Sequence, residues 1–200
     1  MSRYQICVSG AAQGQTVEYA HELAYHLGAE IARQGHVLLT GATSGLPQYA
    51  ARGAHEGGGI SIGFSPASTY REHMHSYRLP TIEFDYINFT GMDYVGRDIH
   101  LVRSSDAVIT VGGRMGSLHE FSTAMESHKV VGVLTGSGGL ADFIPTLIER
   151  IETHGKEAII FDVDPKRIVD RIISELDQRY TDLKEEIKEA PPPGHAARHG

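Results

Sequence analysis

The stretch TVGGRMGSLHE, residues 110–120, decides how this chain folds. It starts inside an apolar run, residues 107–111, and passes into a segment with apolar residues at helical spacing, residues 117–127. A strand that gives way to a helix across three glycines is half of a β-α unit, and its turn can bring bare backbone close to a ligand. The residues allow two uses. Ser117 and Glu120 have the spacing of a capping box, in which the two side chains close off N–H groups at the start of the helix. Alternatively those N–H groups stay free and the turn is an anion site of the kind that helix N-termini provide.

Outward from this point the same unit repeats. Short apolar runs at 4–9, 36–40, 59–64, 82–86, 107–111, 130–134 and 158–161 read as strands. The intervals at 17–33, 47–56, 92–103, 117–127, 140–153 and 165–187 carry apolar stripes at i, i+3, i+4 and read as helices. Strands of continuous apolar character alternating with helices predict an α/β fold, a doubly wound and mostly parallel sheet of about seven strands covered on both faces. Residues 66–80 are polar and lid-like. Residues 182–189 are strongly charged and read as a solvated helical face, and residues 190–200, APPPGHAARHG, are expected to be a disordered tail beyond a single domain spanning 1–189.

Three glycine clusters follow strands: Gly10 to Gly14, then Gly41, Thr43, Ser44 and Gly45, then Gly112, Gly113, Arg114, Met115, Gly116 and Ser117. In a parallel sheet all three loops emerge at the carboxyl edge, where open α/β folds bind their ligands. Gly35 and the run 57–59 follow helices instead and read as helix ends on the opposite edge. A dinucleotide fingerprint is excluded: the first loop is G-x-x-x-G, and the second strand ends in Thr40-Gly41 with no carboxylate for a ribose. A P-loop is excluded as well, since no cluster continues into Gly-Lys-Ser/Thr.

Charge and composition narrow the partners. A formal charge of -7 and the lack of a basic-aromatic stripe argue against nucleic acid and anionic membranes, while a local positive pocket could still hold a small phosphate ester. The single Cys7 lies in an apolar run and reads as a small buried hydrophobe. No apolar run approaches the roughly 20 residues that span a bilayer, and the first residues lack a signal-peptide pattern, so a cytoplasmic protein is expected. The 12 histidines form no ligand cluster with acids or the cysteine, and neither a metal nor a resident cofactor is expected.

Residues 38–66, LLTGATSGLPQYAARGAHEGGGISIGFSP, and residues 96–121, GRDIHLVRSSDAVITVGGRMGSLHEF, together resemble the Lonely Guy (LOG) family of Rossmann-like proteins, formerly described as lysine decarboxylases. The second segment is similar to the family's passage from an arginine to PGGxGTxxE. The resemblance covers residues 4 to about 149. It implies a hydrolase that cleaves the N-glycosidic bond of a nucleoside 5'-monophosphate to base and ribose 5-phosphate, with Arg97 and Glu120 at the catalytic positions, Ser117 and the 113–117 backbone on the phosphate, and a homodimer or higher homo-oligomer. A helix running back from the ligand edge also favours Arg97 over Arg103, which falls where a cation complements a helix C-terminus. A carboxylate beside the anomeric carbon would stabilise a cation-like sugar.

The sequence departs from that pattern at Gly112 for Pro, Arg114 for the second Gly, Ser117 for Thr, His119 for the usual Glu and Pro47 for Met. The proline-free motif is more similar to the branch associated with carriage of the molybdenum cofactor. Two functions are therefore expected from this loop: a phosphoribohydrolase or, as the alternative, a non-catalytic carrier or sensor of a phosphorylated ligand. A third use is purely structural, with Glu120 a cap and Arg97 a surface or ion-pair residue.

Overall fold

The computed structural model describes residues 3–189. Seven parallel strands form one sheet in the order β4-β3-β2-β1-β5-β6-β7. In chain order the elements are β1 (Gln5–Gly10), α1 (Gln15–Arg33), β2 (Val37–Thr40), α2 (Leu46–Glu56), β3 (Ile60–Ser65), α3 (Tyr70–His75), β4 (Tyr86–Phe89), α4 (Asp93–Ser104), β5 (Ala107–Val111), α5 (Met115–Glu126), β6 (Val130–Leu134), α6 (Gly139–Arg150), a 3-10 turn (Lys156–Ala158), β7 (Ile160–Asp162) and α7 (Pro165–Glu189). The α/β class, the parallel sheet and the strand count agree with the sequence.

Alternation along each strand builds two cores. Ile6, Val8, Leu38, Ile109 and Leu134 face α1, α2 and α7, whereas Cys7, Leu39, Val108, Val131 and Val133 face α4, α5 and α6. The central strands, such as β5 and β6, are buried on both faces, which explains their unbroken apolar runs. Ser9 has the parity of Cys7, so the last polar residue of β1 points to the α4–α5 side. The chain leaves β1 toward β2 and leaves β5 toward β6, so strand order reverses between β1 and β5, and a crevice opens beyond their carboxyl ends.

Three expectations need correcting. The fourth strand is Tyr86–Phe89 and not 82–86: Ile82 is 83% exposed, and the segment before β4 is held by the Asp85 amide on the Ser61 carbonyl at 2.9 Å and by the Asp85 carboxylate, which accepts from the Ser61 amide at 2.8 Å. The lid-like 66–80 segment contains α3, capped by Thr69, which accepts from the Glu72 amide, and pinned by the fully buried His73 between the Ser65 hydroxyl and the Pro80 carbonyl. The helix after the glycine turn begins at Met115, two residues before Ser117, with Arg114 as a cap residue that makes no side-chain capping bond. The capping-box reading of Ser117 and Glu120 therefore fails. The tail 190–200 lies outside the described residues.

Candidate ligand-binding site

Beyond the switch point lies a crevice of about 350 Å³. The β1–α1 loop lines it with Gly10, Ala11, Ala12 and Gln13; the β2–α2 loop with Gly41, Thr43 and Pro47; α4 with Tyr94, Arg97 and Asp98; and the start of α5 with Arg114, Met115, Gly116, Ser117 and Glu120. Its polar wall comes from a shared feature of two helices. Arg97, Asp98, Leu101 and Val102 form the buried face of α4, and Ser117, Glu120, Phe121 and Ala124 that of α5. In each stripe the polar members occupy the end nearer the strand termini and the apolar members continue into the core. The site is the polar rim of the hydrophobic layer beneath it.

Arg97 is 4% exposed, and its hydrogen bonds to the protein are made by one guanidinium nitrogen. That nitrogen, Nη1, donates to the carbonyls of Gly41 and of Phe64, the latter at 2.9 Å, so a single side chain gathers the ends of β2 and β3. Gly41 is required for this: a Cβ there would overlap the Arg97 guanidinium. The expected role of Gly41, close backbone approach to a ligand, goes instead to an internal arginine. Arg97 Nε lies 2.9 Å from Asp98 Oδ1, too poorly aligned for a hydrogen bond, and both atoms are buried without another partner. Asp98 Oδ2 meets His119 Nδ1 at 3.0 Å. Tyr94, half exposed at the mouth, carries its ring 5.8 Å from the Arg97 guanidinium carbon.

Glu120 is buried between these groups and the sheet. The Ser9 hydroxyl donates to its Oε2, and Asp98 lines the same crevice from α4. Burial first, and the neighbouring Asp98 charge second, lift the Glu120 carboxyl to about 7, against the opposing pull of Arg97 and of the Ser9 hydrogen bond. Burial likewise pushes the Cys7 thiol well up, in keeping with a packing role for this residue.

The N-terminus of α5 is open. Its first amide to bond back is Leu118, on the Arg114 carbonyl at 3.0 Å, which leaves the N–H groups of Met115, Gly116 and Ser117 without an acceptor among the described residues. No acidic residue stands in its first turn. Arg114 places a cation there, reaching across the crevice so that Nη1 donates to the Gln13 carbonyl at 3.4 Å. A cation beside the positive end of a helix is unfavourable unless an anion joins them. Ser117 is 4% exposed, lines the crevice, and its hydroxyl makes no hydrogen bond among the described residues.

Of the residues singled out from sequence, Gly10, Gly41, Thr43, Arg97, Arg114, Met115, Gly116, Ser117 and Glu120 come together here. The others face away from it. Ser44 is exposed and its hydroxyl donates to the Ala12 carbonyl at 3.3 Å, while Gly45 packs against Ala11 and Ala12. Gly112 and Gly113, both at positive φ, aim their carbonyls at the Ala141 and Leu140 amides, so this part of the motif fastens α6 to the turn. Asp98 and Tyr94 are lining residues to which the sequence reading gives no role, and Ser9, which opens the first glycine cluster, is given none either. Asp98 could have been found as a charge on the same helical face as Val102, and Ser9 by its parity with Cys7.

A doubly wound parallel sheet with a polar crevice and an open helix N-terminus at its switch point defines the class: a Rossmann-like α/β protein. Within that class the profile of the SLOG cluster4 family matches residues 3–169, and the chain belongs to that family. An uncharacterized protein from Archaeoglobus fulgidus is 33% identical over 137 residues, 67% of this chain and 82% of its own. Among solved structures, the molybdenum cofactor binding protein of Rippkaea orientalis superposes with a TM-score of 0.71 at 26% identity, over 88% of this chain and 99% of that one. The molybdenum cofactor carrier protein of Chlamydomonas reinhardtii gives 0.69 at 26% identity, over 86% and 98%. DNA processing protein A of Helicobacter pylori, whose structure describes single-stranded DNA binding, shares the fold alone, at 0.60 and 18% identity over 87% and 82%. No helix among the described residues is long and apolar enough to cross a membrane.

Proposed function

We propose that the crevice binds a phosphorylated small molecule and that the chain serves as its carrier or sensor. The observation that carries this reading is the combination at the start of α5: three N–H groups without acceptors, an unpaired Ser117 hydroxyl and the Arg114 cation around one space. A phosphate monoester fits that set, with its oxygens on the amides and Ser117 and with Arg114 closing over it. Likeness to two proteins that bind or carry the molybdenum cofactor supports a carrier of a small ligand. The two candidate catalytic groups also serve the fold, which favours binding over turnover: Arg97 Nη1 holds the Gly41 and Phe64 carbonyls, and Glu120 accepts from Ser9.

Hydrolysis of a nucleoside 5'-monophosphate is the second reading. It is favoured by one feature, a carboxyl in the crevice wall lifted to about 7, where it could protonate a departing base or activate water. One experiment separates the two. Purified protein is incubated with nucleoside 5'-monophosphates and inorganic phosphate while free base and the melting temperature are both recorded. A melting shift without base release, lost in Ser117→Ala, supports the carrier; base release lost in Glu120→Gln supports the hydrolase; neither signal with any phosphate sinks both.

The same reading takes the chain to be a homodimer or higher homo-oligomer, supported by the exposed apolar stripe Met92, Val95 and Ile99 on α4, and not to bind nucleic acid, supported by the charge of -7. Light scattering and a single-stranded DNA binding assay test the two statements.

A further inference from the structure

We propose that Asp98 is a positioning residue: from α4 it shares one proton with Glu120, and His119 links that pair to solvent, so that Glu120 meets the ligand as a hydrogen-bond donor and not as a carboxylate. The inference rests on the crevice being the ligand site.

The geometry requires a proton. Asp98 and Glu120 are 4% and 7% exposed, lie on the buried faces of α4 and α5 and line the same crevice, and Asp98 Oδ1 is buried with no well-aligned donor. Two neighbouring carboxylates in a dry wall cannot both ionise unless cations neutralise both. Every element that packs on the pair was considered for charge. From β1 come the Ser9 hydroxyl, already donating to Glu120 Oε2, and the Cys7 thiol, held neutral by burial. From α4 comes Arg97, one positive charge, shared with two backbone carbonyls; Tyr94 presents only its ring to it. From α5 come His119, on Asp98 Oδ2, and Arg114, which turns away to the Gln13 carbonyl. A single arginine thus offsets one carboxylate, and one proton balances the other.

The proton resides on Glu120. Asp98 has the arginine at 2.9 Å and the His119 Nδ1 donor at 3.0 Å, both of which stabilise its anion, whereas Glu120 has only a serine hydroxyl. The His119 side chain is 36% exposed, so this ring is the part of the cluster in contact with water and the path by which the buried proton can equilibrate. A protonated Glu120 donates to an acceptor on the ligand, such as a ring nitrogen or carbonyl, and leaves the phosphate no carboxylate to repel it.

The test needs no ligand at first. Carboxyl carbon-13 chemical shifts of Glu120, assigned by comparison with Glu120→Gln, are followed against pH in the full chain. The expected result is a midpoint near neutrality that falls by at least one pH unit in Asp98→Asn and, if that variant does not fold, falls in His119→Ala, because loss of the Nδ1 donor moves the proton toward Asp98. A Glu120 midpoint in the ordinary carboxylate range, or one that neither substitution moves, overturns the proposal. A second arm measures adenosine 5'-monophosphate binding from pH 5 to 9. Wild-type affinity that falls as Glu120 ionises while Glu120→Gln stays flat supports the donor role. A raised midpoint with no nucleotide binding removes the ligand site and the donor role while leaving the shared proton, and a raised midpoint with pH-independent binding overturns the donor role alone.

Discussion

Two glycine loops leave the same edge of the sheet, one after β2 and one after β5, and they put their glycines to opposite uses. At Gly41 the space left by the missing side chain is filled from inside by the Arg97 guanidinium, and Gly45 packs on Ala11 and Ala12. At Gly116 the same kind of space is open, with nothing within 4 Å of where a Cβ would stand, and Met115 beside it is 78% exposed. A glycine at a strand end therefore indicates that something comes close. Whether the visitor is a protein side chain or a ligand depends on what the neighbouring helix sends into the crevice.

The contrast is broken hardest at Gly41. Alanine there displaces Arg97, costs two backbone hydrogen bonds at the ends of β2 and β3, and leaves Asp98 and Glu120 without their cation. Overpacking together with an uncompensated buried charge should destabilise by about 3 kcal/mol or more. Chemical denaturation should show this loss for Gly41→Ala and for Arg97→Ala. The double variant should be less impaired than the sum of the two, since Gly41→Ala has nothing to displace once the arginine is gone. Additive losses would mean that Gly41 is required for something other than Arg97.

Glu120 gives the next largest effect, and its sign follows from the direction of its shift. Its carboxyl is raised from the ordinary 4.5 to about 7 in the folded chain, so the native state holds its proton over a range where the unfolded chain has lost it. The contribution is fully present below about pH 4.5 and is lost as pH rises toward and through 7. Glu120→Gln cannot ionise and should not lose it. Relative to wild type, the variant should gain up to about 3 kcal/mol between pH 4 and pH 8 in denaturant midpoints converted to free energy. A constant difference across that range would show that Glu120 titrates normally.

What was legible in the sequence follows from which residues carried a periodic signal. Continuous apolar runs and i, i+3, i+4 stripes marked six of the seven strands and the long helices. The fourth strand failed because Ile82 looks like a strand residue while Glu83, through its carbonyl, and Asp85, through its amide and carboxylate, hold Ser61 before the ladder begins. The short α3 was masked by its polarity, although Thr69 and Glu72 have cap spacing. In the crevice, Arg97 and Glu120 were found by motif position, and their burial side by side on two helices became visible only in three dimensions. Asp98 belongs to no motif, and its place beside Arg97 on the core-facing stripe of α4 emerges only once the helix is packed. Ser117 and Glu120 suggested a cap by spacing alone, and the helix began two residues earlier because Met115 and Gly116 lack any feature that forbids helical geometry.

Arg114 sharpens the comparison on the ligand side. It is exposed and tied to the protein by a single 3.4 Å contact, so Arg114→Ala should leave the denaturation midpoint within about 0.5 kcal/mol of wild type. Its loss should weaken binding of a phosphate monoester roughly tenfold, as removal of one charge-assisted contact does, and should flatten the salt dependence of that binding. Calorimetric titration at two ionic strengths reads both. Unchanged affinity would mean that the anion sits on the α5 amides alone.

The smallest effect on stability, and the sharpest test of the contrast, belongs to Gly116. It lies in the first turn of α5 at a backbone angle that alanine adopts freely, with open space where the methyl group would go. Replacing glycine by alanine in a helix should stabilise the fold by up to about 1 kcal/mol, the opposite sign from Gly41→Ala. The same methyl group projects into the crevice beside the free amides, so phosphate binding should weaken even as the melting temperature rises. Stability and binding would then part company at Gly116. If Gly116→Ala stabilises and leaves binding intact, the room at this glycine is not where the ligand comes closest, and the anion must be met from the Arg114 side of the turn.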